Sequence, residues 1–306
     1  MRQLSALAVF AAMLVAGPVD LVVAQTSGVI KAIGVENEYA DVISQIGGKH
    51  VQVVAIETDP NTDPHTFEAS PKVASQIASA MLIVKNGMGY DSWADKLISA
   101  TTAADRKVID VQQLLGLPDS TPNPHLWYEP KTMPAVAKAV AENLSGLQPA
   151  HAAYFQENVK AFDASLQPWM KAIASFKAQY GNTPVAVTEP VADYMIEAMG
   201  FKILTPFSLQ AAIMNGTDPS PQDITIQNDL FNGRKVKVFA YNQQVTDTLT
   251  QSFLGLAKKN GIPVVGVYET MPTPGFHYQS WMMAEVAALR KAVADEVSTE
   301  VLKAGR

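Results

Sequence analysis

One long helical segment across residues 150–180, with no strand signal inside it, most constrains how this chain can fold. Apolar side chains recur through it at three- to five-residue spacing, as on one face of an α-helix: Tyr154, Val159, Phe162, Leu166, Trp169 and Ile173. At about 1.5 Å per residue, such a helix is about 45 Å long. That length suits a rigid spine between two halves better than a helix within one domain.

Short β-rich runs alternate with helical patterns on both sides of this segment. The predicted strands cover residues 29–35, 51–57, 81–85 and 107–111 before it, and 184–188, 202–204, 235–241 and 263–268 after it. Alternation of this kind implies mostly parallel sheets with helices on both faces. The sequence therefore predicts an α/β fold in which two Rossmann-like lobes with mostly parallel sheets are joined by a long spine helix.

The predicted organisation has four parts. They are a signal peptide at 1–24, an N-terminal lobe at 25–149, a linking helix at 150–181 and a C-terminal lobe at 182–306. The signal peptide is predicted because Arg2 precedes an apolar run that is too short to span a bilayer. Small residues before Gln25 then predict a cleavage site.

The absence of cysteine limits the chemistry and the anchoring of the chain. It excludes disulfides, thiolate metal ligands and the lipid-modified cysteine that holds many exported bacterial proteins on the membrane. We therefore expect an exported protein with a cleaved signal peptide and no lipid anchor, free in a Gram-negative periplasm. The net charge of -6, with no basic block, argues against a nucleic-acid partner and agrees with a cationic ligand.

Four side chains that can bind metal follow predicted strands, two in each half: His65, His125, Glu189 and Glu269. In open α/β sheets, ligands bind beyond the carboxyl ends of the strands, so all four could meet in one cleft between the lobes. Imidazole nitrogen and carboxylate oxygen suit Mn²⁺, Fe²⁺ and Zn²⁺, and two glutamates balance the charge of a divalent cation. Taken singly, each of these residues is also typical of a solvated loop or a helix start.

Four short motifs occur in order along the chain: Asp63-Pro64-His65-Thr66-Phe67-Glu68, Asn86-Gly87-Met88-Gly89-Tyr90-Asp91-Ser92-Trp93, Asn123-Pro124-His125-Leu126-Trp127 and Tyr278-Gln279-Ser280-Trp281-Met282. Their order and spacing resemble the zinc/manganese family of periplasmic solute-binding proteins, the TroA-like group that serves metal ABC importers. The resemblance covers nearly the whole chain after the signal peptide. It implies the same fold, two α/β lobes joined by a long helix.

The resemblance also implies metal ligands, residue by residue. His65 and His125 fall on the family's two N-lobe ligands. Glu189 falls where zinc importers tend to carry a histidine and manganese importers a glutamate. Glu269 falls where many members carry an aspartate, so its longer side chain departs from the pattern.

The implied function is capture of Mn²⁺ or Zn²⁺, with Fe²⁺ as a further candidate, and delivery to the permease of an ABC importer by a monomer without enzymatic activity. Two imidazoles and two carboxylates favour Mn²⁺ or Fe²⁺ over a three-histidine zinc site. The Irving–Williams order, however, makes Zn²⁺ bind most such sites more tightly than Mn²⁺ does. Manganese and zinc therefore both remain candidates for the transported metal, and manganese is slightly favoured.

Two other functions are alternatives to metal transport. A secreted metallohydrolase needs an open position on its zinc and a nearby general base, whereas four ligands close the site and the sequence has no His-Glu-x-x-His helix. A binding protein for an iron chelate needs an aromatic or arginine-lined cleft, and the four ligand loops contain no arginine.

The remaining residues near the predicted cleft have several interpretations. His50 and His151 are expected to be structural or solvated, and His277 is the other histidine that could approach a metal. The segment Tyr241-Asn242-Gln243 ends a predicted strand beside the cleft. It could orient a metal ligand through a hydrogen bond, or it could form only a turn.

Overall fold

The computed structural model describes residues 28–272 and 274–303. The predicted signal peptide and its cleavage site therefore lie outside the described residues. Within the described residues, no helix combines the length and the apolar character that crossing a membrane requires.

The first half of the chain forms a four-stranded parallel sheet flanked by helices. Its strands are β1 (Ile30–Glu36), β2 (Val51–Glu57), β3 (Leu82–Lys85) and β4 (Lys107–Asp110), in the order β2-β1-β3-β4. Its helices are α1 (Asn37–Gly47), α2 (Pro71–Ser79), α3 (Ser92–Ser99), α4 (Val111–Leu114) and α5 (Thr132–Leu147). The predicted strands of this half are confirmed to within about two residues at their ends.

The spine helix α6 spans Ala152–Tyr180 and packs against α1 and α5. Its buried face consists of Phe155, Phe162, Leu166, Trp169, Ile173 and Phe176. Tyr154, which the periodicity placed on this face, is instead exposed.

The second half repeats the architecture of the first. Its strands are β5 (Pro184–Val187), β6 (Lys202–Ile203), β7 (Val238–Asn242) and β8 (Val264–Val267), parallel and in the order β6-β5-β7-β8. Its helices are α7 (Asp193–Ala198), α8 (Phe207–Met214), α9 (Pro221–Asn232), α10 (Thr248–Lys259) and α11 (Tyr278–Asp295). The predicted α/β class with parallel sheets is confirmed.

The strand β7 begins at Val238 and not at Lys235 as predicted, and two helices of the second half also differ from what the sequence predicts. The helix α8 was missed, because its apolar sequence shows no polar face at helical spacing. Helical spacing in the sequence predicts a closing helix from Tyr278 to Lys303, but the helix ends at Asp295, where Glu296 adopts a left-handed conformation with φ 56°. The chain then runs beside β8, where Thr299 donates to the Val264 carbonyl and accepts from the Gly266 N–H. This pairing covers the unpaired edge of the sheet, which a longer helix would leave open.

One continuous hydrophobic core holds the two halves and the spine together. Its buried cluster includes Tyr39 from the first half, Trp169 from α6 and Val187 from the second. The helix α11 packs on α6, and the rings of Trp169 and Tyr278 meet edge to face with centroids 5.8 Å apart. This shared packing fixes the position of the carboxyl ends of one sheet relative to those of the other.

A close approach between β1 and α1 depends on Gly34. A Cβ atom at this position would overlap the backbone nitrogen of Ala40. We expect Gly34→Ala to lower the free energy of unfolding by about 1–3 kcal/mol, because a methyl group forced into a well-packed contact shifts the backbone. Urea unfolding followed by circular dichroism measures this change.

The matched control is Gly255→Ala within α10, where an added methyl group meets no atom within 4 Å. This variant should be more stable than the wild type by about 0.4–1 kcal/mol, because alanine reduces the freedom of the unfolded chain. An unchanged unfolding midpoint for Gly34→Ala would contradict the described contact.

Candidate metal centre

His65 lies on a single turn of 3₁₀ helix that follows β2, at Pro64–Thr66. The turn forms because Asp63 Oδ1 accepts a hydrogen bond from the His65 N–H at 2.8 Å, and because proline supplies a fixed φ at its first position. The His65 side chain is mostly buried, with 21% of its surface exposed. The loop thus presents one imidazole from a stiff backbone.

His125 is fully buried and is held by Asn123. The Oδ1 atom of Asn123 accepts from the His125 backbone N–H at 3.0 Å and from its ring Nδ1 at 2.7 Å. The Asn123 amide group donates to the Pro190 carbonyl at 2.7 Å, which fixes the assignment of its oxygen and nitrogen. In the neutral ring, Nδ1 therefore carries the proton and Nε2 presents a lone pair.

Glu269 follows β8, and its carboxylate lies against both imidazoles. Its Oε2 atom is 3.2 Å from His65 Nε2 and 3.2 Å from His125 Nε2. The hydroxyl of Tyr90 donates to the same oxygen at 3.0 Å. The ligand atoms of His65, His125 and Glu269 all lie within 4.8 Å of one another.

Glu189 follows β5 and is linked to this group through Asn242, at the end of β7. The amide of Asn242 donates to Glu189 Oε1 at 3.1 Å and to Glu269 Oε1 at 2.8 Å. Glu189 Oε2 is buried and has no hydrogen-bond partner among the described residues. The structure thus groups three of the four predicted site residues by ligand-atom distance, and places the fourth beside them through a shared amide.

The charges of the site are strongly coupled. Burial opposes ionisation of Glu269, but the two imidazoles outweigh it and hold the Glu269 pKa well below its usual range. Burial likewise opposes protonation of His65, yet Glu269 and Asp63 raise the His65 pKa. Burial dominates at His125 and lowers its pKa, and burial together with the charge of Glu269 raises the pKa of Glu189 well above its usual value.

Three further buried glutamates, which the sequence did not single out, surround the site. Burial raises the pKa of Glu38 to about 8 and raises the pKa values of Glu36 and Glu57 well above the usual value. Because its pKa is raised to about 8, Glu38 favours the neutral form near pH 7. Glu269, whose pKa the two imidazoles lower, therefore carries the negative charge at the centre of the metal-free site.

Gln244 connects the two lobes at the site, a role that the sequence interpretation did not assign to it. Its Oε1 atom accepts from the backbone N–H groups of Glu269 at 2.6 Å and Thr270 at 2.9 Å. Its amide group donates to the Thr62 carbonyl in the His65 loop at 2.8 Å. The segment that the sequence indicated as able to orient a metal ligand ended at the neighbouring Gln243. The choice between these adjacent residues depends on the exact end of β7, which the sequence does not define.

The other histidines of the described residues lie outside the group. The rings of His50 and His151 stack with centroids 3.9 Å apart. His277 has 76% of its side chain exposed and places Nδ1 2.7 Å from Asp41 Oδ1. The alternative that His277 approaches the metal group is therefore not favoured.

Comparison with known proteins points to one family. Residues 36–292 match the family model ZnuA, described as zinc-uptake complex component A, periplasmic. The manganese-binding lipoprotein MntA of Bacillus subtilis is 23% identical over 234 residues, which cover 74% of this chain and 74% of that protein. The zinc-binding protein TroA of Treponema pallidum is 27% identical over 172 residues, 54% of this chain and 55% of that protein. The chain thus matches just over half the length of that relative.

The fold is similar to that of solved periplasmic metal-binding proteins. The Mn-bound periplasmic metal-binding protein of Candidatus Liberibacter asiaticus superposes with a TM-score of 0.71 at 17% identity, covering 86% of this chain and 99% of that one. At this identity, the likeness shows a shared fold.

The raised pKa of His65 has a direct test in metal-free protein. The charge of Glu269 contributes to it, so Glu269→Gln should lower the His65 pKa, which an NMR titration of the imidazole resonances measures. Glu68→Gln is the matched control, because it removes the same charge from an exposed position of the His65 loop. A His65 pKa that is the same in the Glu269→Gln and Glu68→Gln variants would contradict the described coupling.

Proposed function

This chain belongs to the ZnuA family of periplasmic zinc-uptake components, and from that premise we propose that it captures Mn²⁺ or Zn²⁺ between its lobes and delivers it to the permease of an ABC importer. The proposed ligands are His65, His125, Glu189 and Glu269. The first two lie in the first half of the chain, and the last two lie in the second.

The observation that supports the proposal most directly is that the Nε2 atoms of both histidines lie close to Glu269 Oε2. His125 Nε2 presents a lone pair to this oxygen when its ring is neutral, because Nδ1 donates to Asn123. His65 Nε2 lies at the same distance from it. Lone pairs of nitrogen and oxygen repel one another unless a positive charge, a proton or a metal ion, lies between them.

Charge balance supports a divalent cation rather than a proton alone. Two ionised glutamates buried to 98–99% are costly to hold without compensation. The raised pKa of Glu189 reflects that cost, and its Oε2 atom has no partner among the described residues. An M²⁺ ion neutralises both carboxylates and provides the missing partner of Glu189.

The same residues disfavour the two rival functions. Four protein ligands leave no open position for a substrate on a catalytic zinc, and the family is one of binding components. An iron chelate carries negative charge that a basic side chain would meet. Apart from the ligands themselves, the side chains that form hydrogen bonds with the four proposed ligands among the described residues are asparagines, a glutamine, an aspartate and a tyrosine, and none of them is basic. The ring of Trp127 packs edge to face on His125.

Delivery follows from the division of the ligands between the lobes. Gln244 and Asn123 each form a hydrogen bond across the cleft, to Thr62 and Pro190 respectively. When the permease parts the lobes, the metal loses ligands from one side and its affinity falls. We propose that this cycle takes place in the periplasm, where an exported chain without a lipid anchor can diffuse to its permease.

The double variant His65→Ala, His125→Ala tests the site. We expect its metal affinity to fall by more than about a hundredfold, which exceeds the loss that follows removal of a supporting hydrogen bond. Isothermal titration with Zn²⁺ and with Mn²⁺ measures this. The control is His50→Ala, His151→Ala, which removes two histidines that stack on each other away from the site and should retain wild-type affinity. Equal affinities in the two double variants would refute the proposed ligands.

The affinity should also depend on pH. The metal displaces the proton of His65, whose pKa is raised in the metal-free protein. Affinity should therefore fall as the pH drops through the His65 pKa, and it should level off above it. Competition titration with a chelator between about pH 5 and pH 8 covers this range. A flat affinity across it would contradict ligation by His65.

A further inference from the structure

Asn242 occupies a central position behind both C-lobe glutamates. It is the last residue of β7 and is fully buried. The two amide protons of its side chain are both used, one on Glu269 Oε1 at 2.8 Å and one on Glu189 Oε1 at 3.1 Å. One neutral side chain therefore holds one oxygen of each carboxylate.

The orientation of this amide is fixed by the backbone around it. The Oδ1 atom of Asn242 accepts from the Gln244 N–H at 3.0 Å, so the amide nitrogen must face the glutamates. The Asn242 backbone N–H donates to Thr188 Oγ1 at 2.9 Å, one residue before Glu189. Turning the amide would break its bonds to both carboxylates and to Gln244.

The arrangement leaves each glutamate one oxygen that the Asn242 amide does not hold and that can face a metal. Glu269 directs Oε2 toward both imidazoles, and Glu189 Oε2 is buried without a partner among the described residues. With the two Nε2 atoms, the donor set contains four atoms. Four nitrogen and oxygen donors suit tetrahedral Zn²⁺, whereas Mn²⁺ prefers a larger set of oxygens, which a carboxylate supplies by binding through both of its oxygens.

We propose that Asn242 is a positioning residue that determines metal specificity: by holding Oε1 of both glutamates, it limits each to one bond with the metal and favours Zn²⁺ over Mn²⁺. This inference rests on the proposed function. The residue types of the site alone favour Mn²⁺, and the shared amide acts in the opposite direction. Removing it frees both carboxylates to bind a metal through two oxygens.

The test uses Asn242→Leu in the full-length protein, with Zn²⁺ and Mn²⁺ titrated separately. Leucine has a similar size but donates no hydrogen bond. Loss of the amide should lower Zn²⁺ affinity within the 10–100-fold range typical of supporting residues at metal sites. Mn²⁺ affinity should fall less, because two-oxygen binding compensates, so the Zn²⁺/Mn²⁺ affinity ratio should drop by about tenfold.

X-ray absorption provides a readout that a purely structural role would not change. The wild type should show four nitrogen and oxygen neighbours around bound Zn²⁺. Bound Mn²⁺ should gain oxygen neighbours from the protein in Asn242→Leu relative to the wild type. Asn242→Ser is a second variant. Its hydroxyl is too short to hold both carboxylates, so this variant should also lower the Zn²⁺/Mn²⁺ affinity ratio.

Asn123→Leu is the matched control. Asn123 holds His125, a ligand that both metals use, so this variant should lower both affinities by a similar factor and leave their ratio unchanged. Equal losses for both metals in the Asn242 variants, with unchanged metal coordination, would overturn the inference and leave the proposed function in place. A wild type that binds neither metal would instead overturn the proposed function itself.

Discussion

The organisation of this protein depends on the cost of keeping carboxylates ionised where water cannot reach them. Glu189 and Glu269 are almost completely buried, and no lysine or arginine pairs with either among the described residues. The surrounding hydrogen bonds orient these groups without neutralising them. A divalent cation in the cleft resolves the imbalance, and the same charge that makes the site costly when empty makes it attractive to the metal.

The fold places these groups so that both lobes are needed for the site. Each sheet presents its ligands at the carboxyl ends of its strands, as open α/β sheets do. The spine helix α6 and the shared core hold the two halves together, and Gln244 and Asn123 link the ligand loops across the cleft. The affinity of the site for the metal therefore depends on how the two lobes are positioned relative to one another. This dependence suits a protein that must both capture and release its cargo.

The sequence predicted the elements that follow from periodicity and missed those that depend on tertiary contacts. Strand–helix alternation and the long segment 150–180 were enough for the α/β class, and strand ends located the four proposed ligands. The helix α8 lacks a polar face, and α11 ends early because residues near Thr299 pair with β8. The role of Gln244 and the double contact of Asn242 depend on atomic positions that no spacing pattern encodes.

The most direct test of the central claim is anomalous diffraction from crystals of the metal-loaded protein, collected at the zinc and manganese absorption edges. We predict one strong peak between the lobes, about 2.0–2.2 Å from His65 Nε2, His125 Nε2 and one oxygen each of Glu189 and Glu269 when the metal is zinc. A peak bound by other residues, or one that only a single lobe coordinates, would contradict it.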